Sequence, residues 1–350
     1  MDWYLNLMKA DWPTEILLLD FESFFSQDYH LGKDKKAISV PEYIADPRFE
    51  FTGLGFQVFN HPLESNGGMF VGGSDVEWMI ARLQKRFGKA LHNCTCVAKN
   101  TKFDFLILAE KFGIYPAFPL DIEDLSRYID SRLPQDLESM AERHDLSYKG
   151  DTKQFKEQHW GEMDHVAMKK YCLRDVELEG LLLKKLLPVI NNPKFELALM
   201  RHTLNLYLKP KFRLDYKLAE QLAGDMEAEV NNTLVGVAKY FPPDHTPDET
   251  KTFLRTRKIF PAMLQRLLGD EKLPMKMGKN ETIPALAKTD EGCTMLLSHK
   301  KQSIRELVAA KLAIASWPTH AKRVRRMIVQ TRCSGDLLRV RRNVLVSSGV

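Results

Sequence analysis

Residues 15–21 (EILLLDF) form a short unbroken apolar run, the pattern of a strand buried on both faces. Residues 49–60 are rich in β-formers, and Gly53 and Gly55 within them predict a bulge or a close backbone approach. Gly67 and Gly73 bracket Met69-Phe70-Val71, a further short strand. Ser74 followed by Glu77 predicts a capping box that opens a helix ending near Phe87-Gly88. Residues 94–98 read as another strand and 103–112 as the helix after it, closed by Gly113. From Asp121 the pattern turns helical: residues 121–128, 135–144 and 163–187 carry apolar side chains at i, i+3, i+4 spacing. An initial run of strands and then alternating strands and helices predicts a mixed α/β sheet flanked by helices.

Pro188 and the Asn191-Asn192-Pro193 turn break the pattern, so a first domain is expected over residues 1–192. Residues 193–316 are mostly helical, with loops expected across residues 242–247 and 273–289. Beyond Trp317-Pro318 the helical period fades, leaving residues 317–350 as a tail. A chain of 350 residues is too long for one ordinary core, which agrees with such a division.

Composition adds three points to this picture. The five cysteines are odd in number and scattered, as expected of free thiols in a reducing compartment, and Cys94-Thr95-Cys96 has no second pair at zinc-site spacing. No stretch nears the roughly 20 apolar residues that cross a bilayer, and the N-terminus lacks the pattern of a signal peptide, so a cytoplasmic protein with no membrane partner is expected. The net charge of +5 is not evenly spread. Residues 317–350 hold eight Lys/Arg against the single acid Asp336, a net of +7 that leaves the preceding 316 residues near −2. A basic nucleic-acid footprint therefore belongs to the tail.

Three short strings carry the candidate chemistry. In Asp20-Phe21-Glu22 the two acids sit two apart in a strand and share a face, at the end of a sheet strand where α/β proteins place ligands. In Asn100-Thr101-Lys102-Phe103-Asp104 the acid falls in the first turn of a helix leaving a strand, with the Asn100 side chain free to fix the turn. In Tyr171-Cys172-Leu173-Arg174-Asp175 the phenol and the acid are four apart on one helix face. Each alone is matched by an ordinary surface acid. Together, four oxygen donors without a histidine or cysteine cluster suit hard divalent cations, and a pair of these clamps the attacking and leaving oxygens of a phosphodiester.

In order and context the three strings resemble the motifs of the DEDD superfamily of 3′–5′ exonucleases: D-x-E on the first strand, N-x-x-(Y/F)-D after a later strand, and Y-x-x-x-D on a late helix. The resemblance implies an RNase H-like fold. It makes Asp20, Glu22, Asp104 and Asp175 ligands of two Mg²⁺ or Mn²⁺ ions, with Asp20 bridging. One ion would acidify a water that Tyr171 orients, and the other would stabilise the departing 3′-oxygen, releasing a nucleoside 5′-monophosphate. Members with a catalytic histidine carry it five residues before the last acid; Lys170 stands there, so Tyr171 marks the tyrosine variant. His144, His159 and His165 are expected at the surface, and Asn100 and Lys102 are candidate substrate contacts. Residues 137–144 resemble the helix that precedes the third motif in proofreading domains.

Gly278-Lys279 with residues 283–290 (IPALAKTD) resembles the segment leading into the polymerase domain of phage-type family A DNA polymerases, and residues 304–314 resemble the start of the thumb. The palm and fingers motifs of those enzymes do not follow. The resemblance thus implies the proofreading part of a truncated or split polymerase, working on a DNA 3′ end in a phage or bacterial cell. A second chain carrying the palm and fingers is then an expected partner. Two other readings stand beside it: an RNA-trimming exonuclease, and a non-catalytic DNA-binding subunit of a polymerase.

Overall fold

The computed structural model describes residues 3–32, 37–60, 64–146, 152–278 and 280–339. The N-terminal part runs α1 (Leu5–Lys9), β1 (Ile16–Ser23), α2 (Val40–Ala45), β2 (Phe51–Asn60), β3 (Glu64–Val71), α3 (Asp75–Phe87), β4 (Thr95–Ala98), α4 (Thr101–Phe112) and β5 (Pro119–Asp121). It continues through α5 (Ile122–Ile129), α6 (Leu137–Arg143), α7 (His165–Leu186) and α8 (Pro193–Leu208). The five strands form one sheet in the order β3-β2-β1-β4-β5. β2 is antiparallel to both neighbours, while β1, β4 and β5 are parallel. This is the mixed RNase H-like sheet flanked by helices that the sequence predicts.

The apolar run of β1 is buried on both faces because it lies in the middle of the sheet. Leu17, Leu19 and Phe21 enter a core with Phe56 and Val58 of β2, Ile80 of α3 and Phe105 of α4. Ile16 and Leu18 point the other way, into a core with Ile122 of α5, Met140 of α6 and Val176 and Leu182 of α7. Strand alternation puts Asp20 and Glu22 on the Ile16/Leu18 side, beneath α7.

α7 comes very close to the sheet there. A Cβ on Gly55, which pairs with Asp20, would lie 2.7 Å from both Cys172 Sγ and Val176 Cγ2. The close approach predicted at this glycine is therefore real, and the register shift of the β1–β2 ladder, between Glu22 and Ser23, skips Thr52 next to Gly53. Gly55→Val is expected to wedge α7 off the sheet and to destabilise the chain by about 1–3 kcal/mol, measured by urea unfolding.

Two local expectations are corrected. Ser74 does not cap α3: its backbone is already helical (φ −63°, ψ −22°) and its side chain makes no capping bond. The Gly72 and Gly73 carbonyls take the first N–H groups instead, from Asp75 and Val76. The indole of Trp160 covers both glycines, leaving no room for a side chain at either. The stretch at residues 273–289 is not wholly irregular, since Met275–Met277 and Thr282–Pro284 pair as a hairpin; Lys279 lies outside the described residues.

The chain divides into two compact units, one of residues 1–213 with 330–350 and one of 214–329. Pro193 begins a helix that stays with the first unit, because Leu197, Met200, Leu204 and Tyr207 of α8 are buried in its two cores. β6 (Phe212–Arg213) ends that stretch. The second unit is helical: α9 (Tyr216–Val237), α10 (Pro247–Arg255), α11 (Ile259–Leu268), the hairpin β7 (Met275–Met277) and β8 (Thr282–Pro284), α12 (Glu291–Leu297) and most of α13 (Gln302–Arg332). Its core holds Leu234, Leu254, Phe260, Leu264, Leu296, Leu307 and Ile314.

The helical pattern does not stop at Trp317-Pro318, for α13 carries Pro318 internally and runs on to Arg332. β9 (Leu337–Leu338) then pairs with β6. Arg339 is buried, donating to the Tyr207 and Leu208 carbonyls at 2.8 and 3.2 Å and to the Glu110 carboxylate. This basic residue of the tail therefore serves the fold and is not available for phosphates. Among the described residues no helix is long and apolar enough to cross a membrane.

Candidate functional site

β1 delivers Asp20 and Glu22, each half-buried, to the surface facing α7. Together with Cys172 of α7 they present donor atoms within 4.8 Å of one another, the one such group of three among the described residues. Cys172 Sγ also lies 3.9 Å from the Asp20 carbonyl. The sequence gives no sign of a thiol among the acids. Burial and the nearby charges of Glu22, Asp20 and Asp175 push that thiol well above its ordinary pKa. Without a cation it stays protonated, and a single thiol beside two carboxylates is not the cysteine and histidine set of a structural zinc site.

Asp104 and Asp175 lie outside that group of three but within its field. Asp104 is 2% exposed, and its Oδ1 accepts the Phe21 N–H at 3.0 Å, between the two acids of β1. Burial, and then the charge of Asp20, raise its pKa well above the carboxylate range despite that bond. Asp175 is also buried and takes a hydrogen bond from the Tyr171 hydroxyl. The ring of Tyr171 packs edge-on against Phe155, at 5.7 Å between centroids, in a small cluster with Met163 and Met168. Burial first, then Glu22 and Asp175, raise the phenol pKa, so Tyr171 remains a donor at neutral pH.

The turn that aims Asp104 is held differently from the prediction. Asn100 adopts the left-handed conformation (φ 64°, ψ 54°), which asparagine tolerates better than most residues, but its side chain makes no capping bond. Asp121, at the end of β5, fixes the turn instead. Its carboxylate accepts from the Asn100 and Thr101 N–H groups at 3.1 and 2.9 Å, the Thr101 hydroxyl at 2.6 Å and the Glu123 N–H at 2.8 Å. Asp121→Ala strands these donors and is expected to cost about 3 kcal/mol or more in a denaturant melt. Burial and the neighbouring Asp121 push the pKa of Asp124 up to about 7, against the lowering charge of Lys102.

The three histidines expected at the surface are exposed or partly exposed. His159 is exposed, stacked on Phe24 at 4.1 Å and bonded to Glu50 at 2.5 Å, and His165 is exposed and stacked on Trp160. His144 is partly exposed.

Glu179 was not foreseen. It is 2% exposed on α7, and burial followed by the charges of Asp20, Asp104 and Asp175 raises its pKa far above the carboxylate range. The sequence does hold a signal for it: Tyr171, Asp175 and Glu179 recur every four residues on one helix face.

One field acts on Asp104, Tyr171, Cys172 and Glu179, and Asp20 contributes to the shift of every one of them. Such a concentration of buried, mutually repelling carboxylates around a thiol held neutral fits hard divalent cations with oxygen ligands.

No protein-family model and no curated protein matches the chain. Among solved structures it is similar to the polymerase domain of Pol1 from M. smegmatis in complex with DNA primer-template and dNTP. That likeness has 12% identity and a TM-score of 0.55, over 97% of this chain and 50% of that one. The chain therefore spans about half the length of that structure. It is also similar to the catalytic core of RRP6 from Trypanosoma brucei, at 13% identity and a TM-score of 0.38, over 95% of this chain and 77% of that one. At 12% identity the first likeness bears on the fold alone, and the second carries no argument.

Proposed function

We propose that the chain is a metal-dependent 3′–5′ exodeoxyribonuclease of the tyrosine type, removing nucleotides from a single-stranded DNA 3′ end in a proofreading role. The observation that carries this reading is the meeting of Asp20, Glu22, Asp104, Tyr171 and Asp175 where β1 passes under α7, with the charge of Asp20 acting on both Asp104 and Tyr171. The string at residues 278–290 and the fold shared with a polymerase domain over nearly the whole chain support the proofreading role.

Asp20, Glu22, Asp104 and Asp175 would hold two Mg²⁺ or Mn²⁺ ions, which when bound supply an acidified water and stabilise charge on the leaving oxygen. The remaining work falls to the chain itself. Asp20 would be the ligand shared by the two ions, in keeping with its charge acting on Asp104, Tyr171, Cys172 and Glu179. Asp104 is locked by the Phe21 N–H and by the turn that Asp121 braces. Tyr171 keeps its proton and, in the absence of ions, bonds Asp175, so it would orient the attacking water as a donor and not act as the base.

The test is release of nucleoside 5′-monophosphates from matched DNA and RNA oligonucleotides in Mg²⁺. Faster release from DNA supports the reading. Faster release from RNA replaces it with an RNA-trimming activity, and release from neither contradicts it.

A further inference from the structure

The three strings leave one carboxylate of the site without a role. Glu179 stands four residues beyond Asp175 and eight beyond Tyr171, on the same face of α7. It is 2% exposed, yet its Oε2 has no hydrogen-bond partner among the described residues. The helix is packed closely on the sheet at this point. A Cβ on the adjoining Gly180 would already lie 3.1 Å from Gln57 Oε1 and Phe59 Cζ of β2, so this turn of α7 is pressed onto the sheet.

A buried carboxylate with an unmet oxygen costs several kcal/mol, and an apolar residue would suit an ordinary core position better. The charges bearing on it are those of Asp20, Asp104 and Asp175, opposed by Lys99. Every neighbour that makes the position unfavourable without a cation makes it favourable with one.

We propose that Glu179 is a fifth carboxylate of the divalent-cation centre, giving its unmet oxygen to the cation directly or through one coordinated water. The proposal rests on the metal-dependent reading above. It makes the metal-free chain pay a stability cost at Glu179 that the bound cation removes.

Titrating the full chain with Mn²⁺ by calorimetry, alongside metal-free melting, tests it in wild type and Glu179→Gln. The glutamine keeps the shape and can still donate a hydrogen bond, so a purely structural neutral acid would tolerate it. The expected result is Mn²⁺ affinity about 10- to 100-fold weaker, as when a supporting group of a metal site is lost, with a metal-free Tm unchanged or raised. Glu179→Asp keeps the charge but withdraws it by one methylene, and an intermediate loss is expected; this variant decides the matter should Glu179→Gln not fold. Wild-type affinity in either folded variant overturns the role of Glu179 and leaves the nuclease reading intact. A wild-type chain that binds no Mn²⁺ overturns both.

Discussion

Asp20→Ala is expected to lower the rate of 3′-end hydrolysis by about 10³-fold or more, while the metal-free chain melts no lower than wild type. The rate effect follows from position. Asp20 lies on the central strand opposite Gly55, where α7 comes closest to the sheet. Its charge raises the pKa of Asp104, of Glu179, of the Cys172 thiol and of the Tyr171 phenol. Glu22 is a cause of two of these shifts, those of Tyr171 and Cys172, so under the proposed reading Asp20 would be the acid shared by two cations. Losing the bridge forfeits several kcal/mol of transition-state charge stabilisation, and each 1.36 kcal/mol is about a factor of ten. The stability effect has the opposite sign. Without cations Asp20 repels its buried neighbours, so truncating it relieves the fold. Initial rates on a labelled strand and metal-free melting curves measure the two halves separately. A variant with near-normal rate would remove Asp20 from the chemistry.

Tyr171→Phe is expected to slow hydrolysis by roughly 10- to 1000-fold, the cost of losing one oriented catalytic hydrogen bond, with Mn²⁺ affinity unchanged. The ring is held by Phe155, Met163 and Met168, contacts that phenylalanine keeps. Only the hydroxyl goes, and with it the bond to Asp175. Burial and the charges of Glu22 and Asp175 raise the phenol pKa, so the lost function is donation. Calorimetric Mn²⁺ binding beside single-turnover rates checks the split. A fall in Mn²⁺ affinity matching the fall in rate would make Tyr171 a structural support for the cation ligands.

What could be read in the sequence was what depends on local period. The apolar run before Asp20 had to be a central strand, and strand alternation placed Asp20 and Glu22 on one face. The four-residue spacing of Tyr171 and Asp175 likewise put them on one face of α7. What escaped was set by tertiary contact. β5 is three residues long, too short to leave a pattern, yet its last residue Asp121 takes over the bracing role expected of the Asn100 side chain. Ser74 and Glu77 carried the letters of a capping box, but the carbonyls of Gly72 and Gly73 had already taken the donors. Cys172 and Glu179 join the acids only because α7 lies over β1. The basic tail looked like a nucleic-acid footprint, and Arg339 proved to be a buried clasp between α8 and Glu110.

The central claim is metal-dependent removal of nucleotides from a DNA 3′ end by the site around Asp20. A single-stranded oligonucleotide labelled at its 5′ end, incubated with the purified chain in Mg²⁺, should give a ladder shortening from the 3′ end. That ladder should vanish with EDTA and with Asp20→Ala. Persistence of the full-length strand in Mg²⁺, or an unchanged ladder from Asp20→Ala, would contradict it.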